Sequence, residues 1–517
     1  MHKLFPYLIA TFLFASCEST PPVEIDLLIK GATLIDGTGA EGFTGDIGVH
    51  ADTLVFVGSP GNIRYLPKQT IDATGFVLAP GFIDPHTHAM EDLSDSIGKA
   101  NLNYLFQGVT TVFTGSDGRS PIELGKRLDQ WDANGIGTNA TMYAGFNSIR
   151  GRIMGMRDDP ATPEELEQMK SLVAKAMDDG AMGLSAGLYY APGSYASTEE
   201  VIELAKIAAQ KGGVYDAHIR DESTYSVTLK GAIEESIRIA REAGIHSNIG
   251  HIKCLGVDVW DTSNEMIALI EAARAEGLSV SADQYPYPAS GTSITGALVP
   301  TWVLADDPDP LPKFDNPQLK AKIVADMQEN LRKRGGPATL LITSAKDTSL
   351  VGKNLEEIAR EWQLDPIEAA IAIFRKGGAG LASFNMKDSD IENFMQQPWC
   401  MTSSDGSTGH PRKYGSFPRK IKTYVLDKKV LSLEEMVHKS TGLSAETFRL
   451  EKRGLLKPGY YADLIVFQPE AVKDEATYEQ PELLASGMHY VIVNGKIAVE
   501  KGNFTGLLAG RTLRNGK

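Results

Sequence analysis

Cysteine is scarce in this sequence: 517 residues contain three, at positions 17, 254 and 400. So low a count excludes a disulfide framework, and we expect Cys254 and Cys400 to be buried free thiols, with a single bridge between them as the alternative. Positive charge is also in deficit, with 51 Lys and Arg against 66 Asp and Glu and a net charge of −15. The absence of a basic patch argues against a nucleic-acid partner.

Long hydrophobic runs are missing as well, apart from the opening MHKLFPYLIATFLFASC. This run is too short for a comfortable transmembrane span, and its basic start and small residues before Cys17 are typical of a secretory signal. The segment Phe14 to Cys17 resembles the lipobox of bacterial lipoproteins, which would make Cys17 a lipidated N-terminus; an ordinary signal peptide is the alternative. We expect residues 1–17 to be the signal peptide with its lipobox and 18–24 to be a tether. The protein would then be exported, as a periplasmic protein or as a bacterial outer-membrane lipoprotein whose only membrane contact is the lipid.

Both ends of the remaining chain are rich in short β-type runs. Residues 25–78 and 450–517 alternate apolar runs with glycine-rich turns, and Asn494-Gly495 between two apolar runs is typical of a type I′ hairpin. With 42% hydrophobic and 23% charged residues, the chain can build a large core. We predict a small β-sandwich built from both termini around a central insert.

The central residues 79–449 alternate strand-like apolar runs with amphipathic helical segments. Thr162 and Ser197 stand where N-caps are expected, each before an acidic first turn. Strand–helix alternation over this length predicts a parallel α/β fold, and a (β/α)8 TIM-like barrel fits it. A doubly wound sheet is the alternative, disfavoured because no glycine-rich phosphate turn follows the first strand. The proline-rich, charged stretch at about 290–345 breaks the alternation and predicts an inserted lobe.

The stretch GFIDPHTH, residues 81–88, ends an apolar run with two histidines. If Phe76 to Ile83 is one buried strand, His86 and His88 point to the same side, because side chains alternate along a strand. Two histidines on one side can bind one metal ion. Such pairs are common without a metal, so the hypothesis needs further ligands.

Further candidate ligands end later apolar runs, namely Asp117, His218, His251 and Asp405. His218 and His251 are about one βα unit apart, which predicts neighbouring strands. In a parallel barrel, residues at the carboxyl ends of the strands meet at one mouth. Histidines and carboxylates are ligands of Zn²⁺ or a similar divalent ion, which lowers the pKa of a bound water to about 7. Asp405 is then the candidate general base.

The motifs PGFIDPHTH, HIRDE, GHIK and SSDG, in this order, resemble those of the amidohydrolase superfamily, as does the closing VIVNGK. The finer motifs GLSAGLYYAPGSYAS, DQYPYPAS and HPRKYGSFPR resemble the N-acyl-D-amino-acid deacylases, or D-aminoacylases. The resemblance covers nearly the whole mature chain. It implies a barrel of the amidohydrolase type and a metal-dependent hydrolysis of N-acyl-D-amino acids to a carboxylate and a free D-amino acid.

The resemblance also implies roles for individual residues. In that family, the histidines matching His218 and His251 hold the tightly bound zinc, and the pair matching His86 and His88 forms a weaker or vacant second site. The aspartate matching Asp405 is the catalytic acid and base. One or two Zn²⁺ ions are therefore expected, with another divalent metal as an alternative.

The candidate substrate-binding residues are Lys253, Tyr190, Tyr285, Tyr287, Arg220 and Arg412. Lys253 and one of the two tyrosines of the YPY motif match family groups that hold the substrate α-carboxylate, for which an ammonium and a phenol are suitable. The two arginines could bind an acyl group or an acidic side chain. The alternatives are structural ion pairs for Lys253 and Arg220, and aromatic packing for Tyr190 and Tyr287.

One position departs from the family pattern. The D-aminoacylases carry GNCG where this chain has Ser116-Asp117-Gly118, so Asp117 replaces a zinc-binding cysteine. A carboxylate is a harder ligand than a thiolate and can bridge two ions, which favours a filled two-metal site or a different metal. The alternative is that Asp117 caps the following segment and binds nothing.

Other functions remain in competition with the deacylase. The first alternatives are a dipeptidase and a cyclic-amide hydrolase. Many of these enzymes use a carboxylated lysine after a middle strand, where GAMGLSAGLYY offers none, which counts against them without excluding activity on D-residue-containing dipeptides. A cell-envelope binding protein that lost turnover is the alternative from another class, and the intact His218, His251 and Asp405 argue against it.

Overall fold

The computed structural model describes residues 22–305 and 310–516. The predicted signal peptide, Cys17 and most of the predicted tether lie outside the described residues. No helix in the described ranges combines the length and the apolar character that crossing a membrane requires. Cys254 and Cys400 are buried and free.

Strands predominate at both ends of the described chain, and helices alternate with strands between them. The strands are β1 (Val23–Leu34), β2 (Phe43–His50), β3 (Thr53–Gly58), β4 (Tyr65–Asp72), β5 (Val77–Pro80), β6 (Phe82–Asp84), β7 (Val109–Thr114), β8 (Asn139–Met142), β9 (Ala144–Gly145), β10 (Gly183–Gly187), β11 (Val214–His218), β12 (Ser247–Ile249), β13 (Val280–Gln284), β14 (Ala289–Ser293), β15 (Leu340–Ala345), β16 (Ala379–Phe384), β17 (Cys400–Thr402), β18 (Leu464–Phe467), β19 (Met488–Val493), β20 (Lys496–Glu500) and β21 (Asn503–Phe504). The α-helices are α1 (Met90–Ser94), α2 (Leu102–Leu105), α3 (Leu124–Asn134), α4 (Phe146–Met154), α5 (Pro163–Asp178), α6 (Thr198–Gln210), α7 (Thr228–Ala243), α8 (Ser263–Ala275), α9 (Ile294–Leu298), α10 (Leu311–Asp315), α11 (Pro317–Lys333), α12 (Leu355–Trp362), α13 (Pro366–Arg375), α14 (Asp388–Gln396), α15 (Arg412–Arg419), α16 (Leu433–Ser440) and α17 (Gly442–Thr447), and a π-helix spans Lys420–Asp427.

Both chain ends build one nine-stranded sheet, in the order β21-β20-β19-β18-β5-β1-β2-β3 with β4 also paired to β1. Its apolar core takes Leu27 and Ile47 from the N-terminal strands and Leu464 and Ile492 from the C-terminal ones. The two halves therefore share one hydrophobic core, which neither terminus could bury alone. The β19–β20 turn has positive φ at both Asn494 and Gly495, as a type I′ hairpin requires.

The central domain is a parallel barrel. One sheet has the order β17-β13-β12-β11-β10-β9, and the other has the order β6-β7-β8. The strands β8 and β9 continue one another across Tyr143, and a parallel bridge between Thr87 and Gly406 joins the β6 and β17 ends. In the described ranges this makes a closed barrel of eight strand positions, so the predicted fold class is confirmed.

The apolar run from Phe76 to Ile83 is two strands rather than one. β5 belongs to the nine-stranded sheet and β6 opens the barrel, with a break at Gly81. A Cβ atom at Gly81 would lie 2.2 Å from Thr110 Oγ1, so the chain can pass this close to β7 only without a side chain. The prediction of one continuous strand was wrong because periodicity does not show where a run changes sheets.

The barrel helices begin where the sequence predicts. Thr162 forms a capping box with Glu165 at the start of α5, and the Ser197 side chain accepts from Glu200 N at the start of α6. Their apolar faces contribute Val173 and Val201 to the main core, which encloses the barrel strands.

The inserted lobe runs from β14 to β16 and so extends well past the predicted end near residue 345. Its three-stranded antiparallel sheet has the order β14-β16-β15, with β16 in the middle. A separate apolar core joins this sheet to α9–α13. The sequence over 355–384 has the periodicity of an ordinary helix–strand unit, which concealed that its strand pairs inside the lobe.

Candidate metal centre

The predicted ligands gather at the carboxyl ends of the barrel strands. His86 and His88 follow β6, Asp117 follows β7, His218 ends β11, His251 follows β12 and Asp405 follows β17. All but the half-buried His88 are buried. The barrel thus brings together residues that are more than 300 positions apart along the chain, with His88 Nε2 3.1 Å from Asp405 Oδ1.

Three of these residues have left-handed backbone conformations. The φ angles are 56° at Asp117, 39° at His251 and 46° at Asp405. Asp and His tolerate this region better than most residues, and the conformation turns each side chain away from the direction that its strand would set. Such strain is concentrated at functional sites, where the surrounding structure supports it.

The carboxylate of Asp117 lies at the centre of the cluster. Its Oδ1 is 3.2 Å from His86 Nε2, 3.5 Å from His251 Nε2 and 3.7 Å from His218 Nδ1, while its Oδ2 is 3.5 Å from His88 Nε2. Two groups of candidate ligands share this residue. One comprises His86, His88, Asp117 and Asp405, and the other comprises Asp117, His218 and His251.

The donor atoms of the second group fit a metal ion. Both ring nitrogens of His218 and Nε2 of His251 are buried, with no hydrogen-bond partner among the described residues. Unsatisfied buried imidazole nitrogens are costly, and a divalent ion at this position would satisfy one nitrogen of each ring. A carboxylate with two oxygens between two histidine groups can serve as a ligand for an ion on either side.

The charges around His251 also favour a bound cation. Burial and the Lys253 ammonium each lower the pKa of His251, but the carboxylates of Asp405, Asp117 and Glu222 outweigh them and raise it to about 9. The carboxylates thus draw a proton onto a buried imidazole. The cluster has a surplus of negative charge that a bound cation would neutralise.

A layer of carboxylates below the cluster orients its histidines. His86 Nδ1 is 3.5 Å from Asp216 Oδ2, and Asp283 Oδ1 accepts from His251 N at 2.9 Å. The Asn248 amide donates to both carboxylates, at 2.9 and 2.6 Å. With Nδ1 directed at Asp216, the His86 ring presents Nε2 to Asp117, as the ligands of metal sites are commonly oriented.

Asp84 ties the two strand ends that carry His86 and Asp405. Its Oδ1 accepts from His86 N at 3.3 Å and from Ser404 N at 3.1 Å, and Asp405 N donates to His86 O at 2.9 Å. Burial raises the pKa of Asp84 to about 7. Asp84 was not among the residues predicted from the sequence, although its place in GFIDPHTH next to the histidines was the available signal.

Asp405 is held between an imidazole and a guanidinium. Its Oδ1 is 3.1 Å from His88 Nε2, and its Oδ2 forms an ion pair with Arg412 Nη1 at 2.7 Å. Burial alone would raise the pKa of this carboxyl, but Arg412 and the imidazoles of His251 and His88 outweigh burial and hold it well below its usual range. Asp405 is therefore an ionised carboxylate whose orientation is fixed from both sides.

Glu222 was not among the site residues predicted from the sequence. It accepts from Lys253 Nζ and lies 3.1 Å from His251 Nδ1, and Lys253 Nζ is 2.6 Å from the same ring nitrogen. Burial alone would raise the pKa of Glu222. The charges of Lys253 and His218 lower it by more, so the net pKa is well below its usual range and Glu222 is ionised. The alternative that Lys253 forms an ion pair thus holds, and that pair lies at the edge of the metal cluster.

A cavity of about 300 Å³ opens over the cluster. The predicted substrate-binding residues that line it are Tyr190, Lys253, Tyr285 and Arg412. The Tyr190 ring centroid is 4.8 Å from that of His218, and Tyr285 Oη is buried without a hydrogen-bond partner among the described residues. The lobe supplies part of the wall through Gly291, so the cavity lies between barrel and lobe.

Two predicted substrate-binding residues lie elsewhere. Arg220 forms a bidentate ion pair with Glu235 and lines a different cavity, because its side chain points back to α7. Tyr287 is buried under Arg419 and packs edge-on against His410, away from the lining of the metal cavity. Sequence spacing showed that both residues follow strands but not the direction of their side chains.

A closed parallel barrel with histidines and carboxylates at its strand ends defines a metal-dependent hydrolase of the barrel class. Comparison with protein families agrees, since the chain matches the model of the amidohydrolase family over residues 69–373 and 389–499. The protein belongs to the amidohydrolase family.

Individual relatives are similar over nearly the full length. A D-aminoacylase of Alcaligenes xylosoxydans xylosoxydans is 33% identical over 521 residues, covering 94% of this chain and 97% of the relative. A D-aminoacylase crystal structure matches with a TM-score of 0.81 and 34% identity, covering 95% of this chain and all of the other. The N-acyl-D-glutamate deacylase of Bordetella bronchiseptica, solved with zinc and a phosphonate inhibitor that mimics the tetrahedral intermediate, has a TM-score of 0.80 and 29% identity, with 95% and 100% coverage.

The shared position of Asp117 predicts the effect of Asp117→Asn on metal binding. Asn tolerates a left-handed backbone, so the fold should persist, while the loss of the shared carboxylate should weaken divalent-ion affinity at least about 10-fold. Elemental analysis after dialysis against Zn²⁺ and a chelator-competition titration measure this. The exposed Asp129→Asn is the matched control; equal metal content and affinity in Asp117→Asn and this control would contradict the shared-ligand assignment.

Proposed function

We propose that this protein hydrolyses the amide bond of N-acyl-D-amino acids and releases a carboxylate and a free D-amino acid. One observation carries the proposal: the candidate metal ligands around Asp117 lie in the same cavity as Asp405, the cations Lys253 and Arg412, and the phenol of Tyr285. The D-aminoacylase relative, at 33% identity over almost the whole chain, supports the substrate class.

The ligand groups suit Zn²⁺, with another divalent metal as the alternative, and the zinc in the related deacylase structure supports this choice. His218, His251 and Asp117 would hold one ion, and His86, His88, Asp117 and Asp405 could hold a second. A bound ion would supply Lewis-acid polarisation of the scissile carbonyl and would make water a better nucleophile.

Asp405 moves the proton in this proposal. As an ionised carboxylate at the cavity wall, it can accept the proton of the attacking water and return it to the leaving nitrogen. Its ion pair with Arg412 and its contact with His88 fix the carboxylate in place, so no reorientation is needed between the two transfers.

The substrate α-carboxylate has suitable partners on the same wall. Arg412 lies over the Tyr285 ring at 4.5 Å, and the Lys253 ammonium lies 5.6 Å from the centre of the same ring. The unpartnered Tyr285 hydroxyl can donate to a carboxylate, and the two cations provide charge. Tyr190 packs on His218 and would limit the space for the remainder of the substrate.

A substrate panel tests the proposed activity. The purified mature protein with Zn²⁺ should release acetate from N-acetyl-D-amino acids and discriminate against the L-enantiomers, as measured by acetate and amine formation. D-residue-containing dipeptides and cyclic amides belong in the same panel. Hydrolysis of either of those classes alone would replace the deacylase with that activity, and bound metal without turnover of any compound would favour a binding protein.

The substitution Asp405→Asn tests the proton transfer. Turnover of the best panel substrate should fall at least about 100-fold, because an amide cannot accept the proton. The ion held by Asp117, His218 and His251 should remain, as checked by elemental analysis. The exposed Asp388→Asn is the control and should retain normal kinetics, whereas full activity in Asp405→Asn would refute the assigned role.

We also propose that the chain is exported and anchored to a bacterial membrane through a lipid on Cys17. The support is the sequence before Glu18. In a bacterial host, the wild-type protein should fractionate with membranes and Cys17→Ser with soluble proteins, by immunoblotting. Cys254→Ser serves as the control because it leaves position 17 intact; an unchanged distribution of Cys17→Ser would refute the anchor.

A further inference from the structure

Arg334 of the inserted lobe is a buried cation in the wall of the metal cavity. It follows α11, is 2% exposed and lines the cavity together with Tyr189. Its Nε donates to Ala297 O at 3.1 Å, its Nη1 to Ser383 Oγ at 3.3 Å and its Nη2 to Tyr189 Oη at 3.4 Å. All three acceptors are uncharged. Within residues 22–305 and 310–516, no carboxylate forms an ion pair with Arg334.

The other buried cations of this cavity are paired. Lys253 donates to Glu222, and Arg412 forms its ion pair with Asp405 at 2.7 Å. A fully buried arginine of the barrel, Arg150, is likewise neutralised by Glu200 at 3.1 Å. The Tyr225 ring, whose centroid is 5.7 Å from Arg334 Cζ, compensates this charge only in part. A buried guanidinium without a carboxylate partner is costly for the fold, so an anion that enters the cavity would offset that cost.

Arg334 and Arg412 approach the cavity from different sides. Arg412 lies on the Asp405 side, where a Cβ atom at Gly291 of β14 would be 2.8 Å from its Nη2. Arg334 lies against Ser383 of β16 and reaches the metal cluster through Tyr189, whose ring centroid is 5.5 Å from that of His218. A molecule bound in this cavity therefore meets one guanidinium on each side.

We propose that Arg334 binds a second carboxylate of the substrate, separate from the α-carboxylate, and so makes this enzyme selective for dicarboxylic N-acyl-D-amino acids. The inference rests on the proposed function. The second carboxylate could belong to the amino-acid side chain or to the end of the acyl group. Either would accept two parallel N–H bonds from the guanidinium, and a neutral amide of the same shape would leave the buried charge unpaired.

Paired substrates test this selectivity on the holoenzyme. One arm compares N-acetyl-D-glutamate with N-acetyl-D-glutamine, and the other compares N-succinyl-D-alanine with its neutral succinamoyl analogue. In at least one arm, kcat/KM of the wild-type protein should favour the acid at least about 10-fold. The arm that shows the preference identifies the source of the carboxylate.

Substitutions assign the preference to Arg334. Arg334→Gln should reduce the acid-to-amide ratio of kcat/KM to near one, mainly by lowering the value for the acid. Arg334→Lys should lower the acid-to-amide ratio of kcat/KM several-fold, and this variant carries the test if Arg334→Gln does not fold. Arg332→Gln, on the exposed side of the same helix, is the matched control and should keep the wild-type ratio.

Two results would overturn this inference and leave the proposed function intact. One is turnover of the N-acyl-D-amino acids without preference for either acid. The other is an equal loss of kcat/KM for acid and amide in the Arg334 variants, which would indicate a structural role. The absence of turnover for every N-acyl-D-amino acid would instead overturn the proposed function, and this inference with it.

Discussion

The attraction between one carboxylate and four imidazoles organises this molecule. Asp117 lies within 3.7 Å of a ring nitrogen of each of His86, His88, His218 and His251, and these histidines come from three different strands of the barrel. Because both candidate ligand groups contain Asp117, its charge sets how much positive charge the centre can hold. The neighbouring carboxylates raise the pKa of the buried His86 and His251 imidazoles, and a bound cation would neutralise the same carboxylates in place of those protons.

The rest of the site maintains this arrangement. Asp84 joins the first and last barrel strands at the level of the ligands, and Asp216 and Asp283 direct His86 and His251 from below. Each support is a buried hydrogen-bonded carboxylate inside a parallel barrel, where low dielectric strengthens polar contacts and makes their loss costly. The chemistry at the cavity thus depends on a polar barrel interior, while the apolar core lies between strands and helices.

The lobe completes the wall of the metal cavity at the barrel mouth. It has its own apolar core and its own small sheet, and it contributes Gly291 and Arg334 to the wall opposite the strand ends. The barrel supplies groups suited to hydrolysis of an amide, and the lobe supplies groups that meet the outer parts of a substrate. The groups that meet the outer parts of a substrate therefore lie on a different structural unit from the candidate metal ligands.

The sequence by itself determined the barrel class, the terminal β-domain and the helix caps, because these follow from periodicity and turn chemistry. It also supplied the candidate metal ligands, as residues that end apolar runs. Only the tertiary structure decided the break at Gly81, the extent of the lobe and the directions of the Arg220 and Arg412 side chains. Arg220 turns to Glu235 while Arg412 turns to Asp405. Only the tertiary structure also showed the importance of Glu222, Asp216 and Arg334. Whether a buried charged residue has a charged partner depends on contacts between residues that are far apart in the chain.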